Sequence, residues 1–203
     1  MRIFLNMSQA LVFDLETQKS FDEVGGRGNC HLLKMSVGCF YDYGTSSFVC
    51  YTENEVNDLI DHLFSAKLVV GFNIKAFDYK VLKYYTDKDF SLIPKTLDIL
   101  EDVHKELGFR VSLNSLAVCT LSNEDKKIEK SADGLQALKW FKEGKIEKIK
   151  EYCAQDVLLT RDLYEYGKEK GYLYYRDAKT KERCKVRALW YSERNDYLIN
   201  GIC

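Results

Sequence analysis

Apolar and polar residues along this chain follow two periods, one typical of strands and one typical of helices. Short apolar runs with β-branched and aromatic members predict four strands in the first part of the chain. The predicted strands are 10–15, 33–42, 46–52 and 68–71. Tyr43-Gly44 separates the second strand from the third and predicts a hairpin turn. Apolar residues at helical spacing predict a helix over 53–66.

The remainder of the chain carries mostly helical patterns. We predict helices over 76–85 and 99–107, separated by a loop that contains the only proline, Pro94. From 171 to 191, apolar and polar residues alternate on both sides of a polar turn, which predicts a terminal β-hairpin. Since strands and helices alternate, the expected fold class is α/β, a mixed central sheet flanked by α-helices.

Composition fits a folded protein and excludes several classes. The chain has 203 residues, 46% of them hydrophobic. This size fits one domain over 1–203, with a core of about 10–170 and a hairpin extension of about 171–203. The net charge of -1 excludes a simple polycation that binds nucleic acid through bulk charge. No apolar run is long enough for a membrane span, so we expect a cytoplasmic protein. The seven cysteines include no Cys-x-x-Cys pair and are expected to be reduced thiols.

Carboxylates recur where strands end or helices begin. Asp14 and Glu16 stand two apart at the end of the first strand, so strand periodicity directs both side chains to one face. Asp78 falls in the first turn of a predicted helix. Tyr152 and Asp156 lie one helical turn apart, on a stripe beside an apolar face. Each feature alone is also explained by an ordinary surface position or, for Asp78, by the helix dipole. Their occurrence together predicts a shared acidic site.

Three motifs, in this order along the chain, resemble those of a known family. They are Phe13-Asp14-Leu15-Glu16-Thr17, Asn73-Ile74-Lys75-Ala76-Phe77-Asp78 and Tyr152-x-x-x-Asp156. Together they resemble the motifs of the DEDD superfamily of 3′-5′ exonucleases, in its tyrosine-bearing DEDDy subclass. The proofreading domains of family B polymerases are similar in the same motifs. Further stretches resemble the ribonuclease H-like domains of the YprB type, which accompany bacterial DExH-box helicases. These stretches are 23–32, 133–144 and 171–190.

The resemblance covers roughly residues 10–170 and implies a ribonuclease H-like fold with 3′-5′ exonuclease activity on single-stranded DNA or RNA. It also implies two divalent metal ions, Mg²⁺ or Mn²⁺, since hard cations prefer carboxylate oxygens. By resemblance, Asp14 bridges both ions, while Glu16 and Asp156 complete the ion site that activates water. Asp78 holds the second ion, and Tyr152 orients the attacking water. The implied substrate-binding residues are Thr17, His31, Asn73 and Phe77.

Several alternatives stay open from the sequence. Two stretches are basic, 126–150 and 168–194, and aromatic residues are interleaved in the second. They suit single-stranded nucleic acid and equally a solvated helix face and an amphipathic hairpin. The glycines within 25–28 permit either tight turns or a close approach of backbone to phosphate. The protein is an exonuclease, a metal-dependent endonuclease, or a module that binds nucleic acid or a helicase partner without catalysis. No motif encodes contacts to a 2′-hydroxyl, so DNA and RNA are not distinguished.

Overall fold

A central five-stranded sheet organises the protein. The computed structural model describes residues 10–122 and 134–190. The strands are, in chain order, β1 Leu11–Thr17, β2 Met35–Asp42, β3 Ser47–Thr52, β4 Val69–Gly71 and β5 Thr96–Asp98. Across the sheet they run β3-β2-β1-β4-β5. β2 pairs antiparallel with β1 and β3, whereas β4 pairs parallel with β1 and β5. The sheet is therefore mixed, as predicted.

Helices cover both faces of the sheet. They are α1 Val56–Ser65, α2 Asp78–Leu82, α3 Ile99–Leu107, α4 Leu113–Leu121, α5 Gly134–Lys142 and α6 Ile146–Lys170. Three 3₁₀ segments accompany them, at Arg27–Leu33, Glu53–Glu55 and Phe90–Leu92. The helix predicted over 76–85 is shorter in the structure, where α2 spans five residues. In the described part of the chain, no helix has both the length and the apolar character that crossing a membrane requires.

Two apolar cores enclose the sheet because side chains alternate along β1. Leu11, Phe13 and Leu15 join the core beneath α1 and α2. Val12 points to the opposite side, into the core that α3, α4 and α6 share. Since Asp14 and Glu16 follow Val12 at intervals of two residues, they lie on the α6 side of the sheet. The expectation that both carboxylates share one face is confirmed.

The C-terminal hairpin is confirmed over the residues that the structure describes. It consists of β6 Tyr172–Arg176 and β7 Arg183–Arg187, paired antiparallel. Leu173 and Val186 on its inner face are buried and belong to the core beside α4 and α6. Residue 191 of the predicted hairpin and part of the basic stretch 126–150 lie outside the described residues. The single-domain boundaries over 1–203 therefore stay a prediction.

Two cysteines differ from the expectation of reduced thiols. Cys39 of β2 and Cys50 of β3 lie opposite each other in the antiparallel register and form a disulfide. The expectation is wrong for this pair, because the pairing depends on the register of the hairpin rather than on a recognisable spacing of cysteines. The free cysteines among the described residues are Cys30, Cys119, Cys153 and Cys184.

Candidate active site

Asp14 and Glu16 lie toward the C-terminal end of β1, the central strand. The parallel ladder between β1 and β4 ends where Phe13 pairs with Gly71. Beyond that point, the backbone N–H of Leu15 is no longer used by the β4 ladder. The register with β2 also shifts directly after Glu16. The two carboxylates therefore stand where the regular pairing of the central strand gives way.

Helix α6 brings Tyr152 and Asp156 to the same place. Cys153 and Val157 are fully buried, which fixes the face that α6 turns toward the sheet. The Cys153 thiol donates a hydrogen bond to the backbone oxygen of Asp14 at 3.3 Å. Tyr152 and Asp156 immediately precede these two buried residues and border the same face. The buried stripe of α6 thus positions the phenol and the carboxylate beside β1.

A cluster of three carboxylates results. Asp14, Glu16 and Asp156 each offer one oxygen, and these oxygens lie within 4.8 Å of one another. Asp156 Oδ1 is buried and has no hydrogen-bond partner among the residues that the structure describes. Leaving a buried polar atom unsatisfied is costly. A hard divalent cation would satisfy this oxygen and its neighbours, so the donor set fits Mg²⁺ or Mn²⁺.

Asp78 reaches the site from the first position of α2. Its side chain is buried, and the Leu15 backbone N–H donates to its Oδ1 at 3.1 Å. The turn before α2 is held by Asp98 at the end of β5. The Asp98 carboxylate accepts hydrogen bonds from the backbone N–H groups of Asn73 and Lys75 at 2.8 and 3.1 Å. Asp98 therefore connects the edge strand of the sheet to the position of Asp78.

Burial raises the pKa of all four acids, and the charges of neighbouring site acids add to it for Asp14 and Glu16. Burial, followed by the charge of Asp78, raises the pKa of Asp14 well above its usual value. The pKa of Glu16 is also well above its usual value, from burial and then the charge of Asp156. Burial raises the pKa of Asp78 to about 8 and that of Asp156 to about 6. Without a cation, the site thus holds carboxylates that resist ionisation.

Tyr152 experiences the same acidic surroundings. Burial is the largest cause of its raised pKa, and the charge of Asp156 is the second. A hydrogen bond from Tyr152 in turn lowers the pKa of Asp156. The phenol therefore stays protonated around neutral pH and acts as a hydrogen-bond donor rather than a base.

The acids line part of a cavity of about 650 Å³. Its other lining residues are mainly apolar or cationic. They include Lys19, Phe21, Arg27, Leu33, Phe72, Phe77, Leu135 and Leu138. The Phe21 and Phe77 rings meet edge to face at 5.9 Å, and the Arg27 guanidinium lies 4.8 Å above the Phe21 ring. The cavity thus combines a metal-binding wall with an aromatic surface and two cations.

The four predicted substrate-binding residues occupy different places. Thr17 and Phe77 line the cavity with the acids. Asn73 adopts a left-handed conformation with φ of 70° and accepts a hydrogen bond from Arg110 at 2.7 Å. His31 is exposed on the 3₁₀ segment Arg27–Leu33. Neither Asn73 nor His31 is among the residues that line this cavity, and their substrate contacts stay predictions.

Sequence reasoning missed several residues of the cavity wall. Phe21 and Arg27 belong to the loop after β1, and Leu135 lies on α5, far away in the sequence. Of these residues, only Arg27 had a sequence signal, because it lies among the glycines within 25–28. Gly25 and Gly26 take positive φ values of 77° and 111°, a conformation that favours glycine, so they permit the tight turns that carry this loop back over the site.

Comparison with known proteins agrees with this fold. A sequence model of the RNase H superfamily matches residues 11–167. The chain belongs to the RNase H superfamily, and its mixed sheet with flanking helices confirms the predicted ribonuclease H-like fold. No curated protein matches the sequence. Membership in the superfamily, together with the cluster of Asp14, Glu16 and Asp156, indicates a metal-dependent nuclease.

Proposed function

We propose that this protein is a 3′-5′ exonuclease of the DEDDy type that hydrolyses single-stranded nucleic acid with two Mg²⁺ or Mn²⁺ ions. The observation that carries the proposal is the cluster of Asp14, Glu16 and Asp156 oxygens, with Tyr152 one helical turn before Asp156. Asp78 adds a fourth carboxylate beside β1. This set of side chains agrees with the order and spacing of the three sequence motifs.

Hydrolysis of a phosphodiester needs a positioned water and compensation for negative charge that develops on the phosphate and the leaving oxygen. In the proposal, Asp14, Glu16 and Asp156 hold one ion, while Asp14 and Asp78 hold the other. When bound, such ions stabilise the anionic transition state and lower the pKa of water. The carboxylates keep the ions in place, and the neutral Tyr152 hydroxyl orients the attacking water by a hydrogen bond.

The cavity walls suit the terminal nucleotide of a strand. Phe21 and Phe77 offer ring surfaces against which a base packs, and stacking of this kind tolerates any base. Arg27 and Lys19 offer positive charge to phosphate groups in a cavity whose other charged lining residues are acids. A volume of about 650 Å³ falls within the range of about 300–1,000 Å³ for pockets that hold small molecules. We infer that the cavity accepts the 3′-terminal nucleotide of DNA or RNA.

The first experiment follows the strand from its labelled end. The purified protein is incubated with 5′-labelled single-stranded DNA and RNA in Mg²⁺, in Mn²⁺ and in EDTA, alongside Asp14→Asn. The expected result is a metal-dependent ladder that shortens from the 3′ end and is absent in Asp14→Asn. Asp58→Asn, an exposed change of the same chemistry on α1, is the matched control and keeps the wild-type ladder.

Each rival gives a different pattern. Cleavage of a circular single strand identifies an endonuclease, because an exonuclease has no end from which to start. Intact strands in every metal, with the fold retained, refute the nuclease proposal and leave nucleic-acid binding. The resemblance to domains that accompany helicases extends the proposal to a helicase partner that would supply single strands. Addition of a DExH-box helicase with duplex substrate tests that extension separately.

A further inference from the structure

The C-terminal hairpin presents a cationic and aromatic surface outside the catalytic cavity. Alternation along β6 and β7 separates an inner face, with Leu173 and Val186 buried, from an outer face. The outer face carries three cross-strand pairs, which are Tyr172 with Arg187, Tyr174 with Lys185, and Arg176 with Arg183. We call these six residues the outer hairpin face. Four are cations, two are tyrosines and none is an acid.

Most of this positive charge is uncompensated. Arg187 pairs with Glu106, at 2.8 Å from its Nε. Within the described ranges, Arg176, Arg183 and Lys185 form no ion pair with a carboxylate. Arg183 donates to the backbone oxygen of Cys119 and Arg176 to that of Lys181, contacts that hold the side chains in place without neutralising them. The surface is therefore a fixed array of positive charge.

Aromatic rings form a continuous row beneath these cations. Tyr166 of α6 lies 6.0 Å from Tyr172, and Tyr172 lies 5.3 Å from Tyr174, measured between ring centroids. Arg183 lies 3.6 Å above the Tyr174 ring and Lys185 lies 4.0 Å above the Tyr172 ring. An acidic protein needs only the cations. A nucleic acid strand suits both components, since its phosphates pair with the cations and its sugars and bases can pack beside the rings that these cations cover.

The catalytic cavity itself gives a reason for a separate binding surface. Its charged lining residues are five acids, Asp22 among them, and only two cations, Lys19 and Arg27, so the side chains of the cavity offer a strand little positive charge. The net charge of the chain is -1, so no overall attraction compensates. Lys170, at the end of α6 before the hairpin, lies 14 residues after Asp156, which corresponds to about 21 Å at about 1.5 Å per residue. None of the six residues of the outer hairpin face is among those that line the cavity.

We propose that the outer hairpin face binds the sugar-phosphate backbone of a single nucleic acid strand whose 3′ end is held in the catalytic cavity. This inference rests on the proposed nuclease function and extends it, because it assigns strand binding and chemistry to two separate surfaces. A strand too short to reach the hairpin would be bound by the cavity alone.

The test compares charge-neutralising pairs in a protein that cannot cut. Arg176→Gln with Lys185→Gln removes two cations from the outer hairpin face. Lys67→Gln with Lys95→Gln removes two exposed cations, one close before β4 and one directly before β5. Binding of a labelled single strand is measured by fluorescence anisotropy in EDTA over a salt series. We expect the hairpin pair to weaken binding about tenfold at low salt and to reduce the salt slope by about 1.4. The control pair retains the wild-type affinity to within about twofold.

A second measurement separates this proposal from the nuclease proposal. In Mn²⁺, the hairpin pair should lower the ratio of kcat/KM for a long strand to kcat/KM for a tetranucleotide by about tenfold. Lys185→Gln alone should lower this ratio in the same direction. Because it removes no hydrogen bond to the backbone, it serves as a control for misfolding of the hairpin. Wild-type affinity and wild-type salt slope in the hairpin pair would overturn the proposal. It would also be overturned if the hairpin pair lost binding to an acidic protein but kept wild-type binding to the strand. Absence of cutting by wild type would overturn the nuclease function while the binding result still stands.

Discussion

Removal of the metal should make the stability of this protein unusually sensitive to pH. The folded-state pKa values of Asp14, Glu16, Asp78 and Asp156 all lie above their usual values, so the folded protein holds these protons more tightly than the unfolded chain. Such groups contribute stability that is present below the unfolded pKa of about 4 and is lost as pH rises through the folded pKa. Stability in EDTA should therefore fall between about pH 4 and pH 8.

Asp156 allows the magnitude to be worked out. Raising its pKa from 3.8 to about 6 corresponds to about 3 kcal/mol between the two protonation states. About 1 kcal/mol of this is lost between pH 5 and pH 7, a measurable share of a typical unfolding free energy of about 5–15 kcal/mol. Asp156→Asn removes this contribution and relieves repulsion on Asp14 and Glu16, since the charge of Asp156 contributes to the raised pKa of both.

Urea unfolding at pH 5, 6 and 7 in EDTA measures the effect. The free energy of unfolding of wild type should decline with pH by at least about 1 kcal/mol more than that of Asp156→Asn, whereas Asp58→Asn should follow wild type. Saturating Mn²⁺ at pH 7 should restore about 2–3 kcal/mol to wild type at about 100 times the dissociation constant, and much less to Asp156→Asn. Equal pH dependence in wild type and Asp156→Asn would refute the electrostatic reasoning. Equal stabilisation by Mn²⁺ would refute the metal site.

Three further changes test the parts of the site separately. Tyr152→Phe should lower the rate of hydrolysis at least tenfold and leave stabilisation by Mn²⁺ intact, because it removes only the hydroxyl; unchanged kcat contradicts its role. Asp98→Ala should cost about 2–3 kcal/mol in urea unfolding, since it leaves the N–H groups of Asn73 and Lys75 without their acceptor; a loss below 0.5 kcal/mol contradicts this. Gly71→Ala should cost about 1–3 kcal/mol, because a Cβ there would lie 2.2 Å from Ile74 Cγ2, and wild-type stability would show that the turn adapts.

The sequence predicted that Asp14, Glu16 and Asp156 lie together because the residues of each motif pair lie on one element with a fixed period. Asp14 and Glu16 share a face through the period of two in β1, and Tyr152 and Asp156 share a stripe through the helical period of α6. These relations hold whatever the rest of the fold does. The family resemblance of the three motifs then predicted that the two pairs lie beside each other, and the fold agrees with that placement.

The sequence failed where position depends on tertiary contacts without a period. The strand β5 is three residues long, so Thr96–Asp98 shows no alternation, and the function of Asp98 as an acceptor for a distant turn left no mark in the pattern. The disulfide between Cys39 and Cys50 depends on hairpin register in the same way. Leu135 reaches the cavity from α5, more than a hundred residues after β1, and no local signal connects the two.

The geometry of the four acids also explains why a separate cationic surface is useful. After burial, the charges of neighbouring acids raise the pKa values of Asp14 and Glu16, so the site concentrates negative charge that repels a strand until divalent cations neutralise it. Adding lysines to the cavity would relieve the repulsion but would compete with the metal for the carboxylates. Placing the cations on β6 and β7 avoids this competition, because none of the outer hairpin face residues lines the cavity that holds the carboxylates. The hairpin can therefore attract the strand without weakening the metal site.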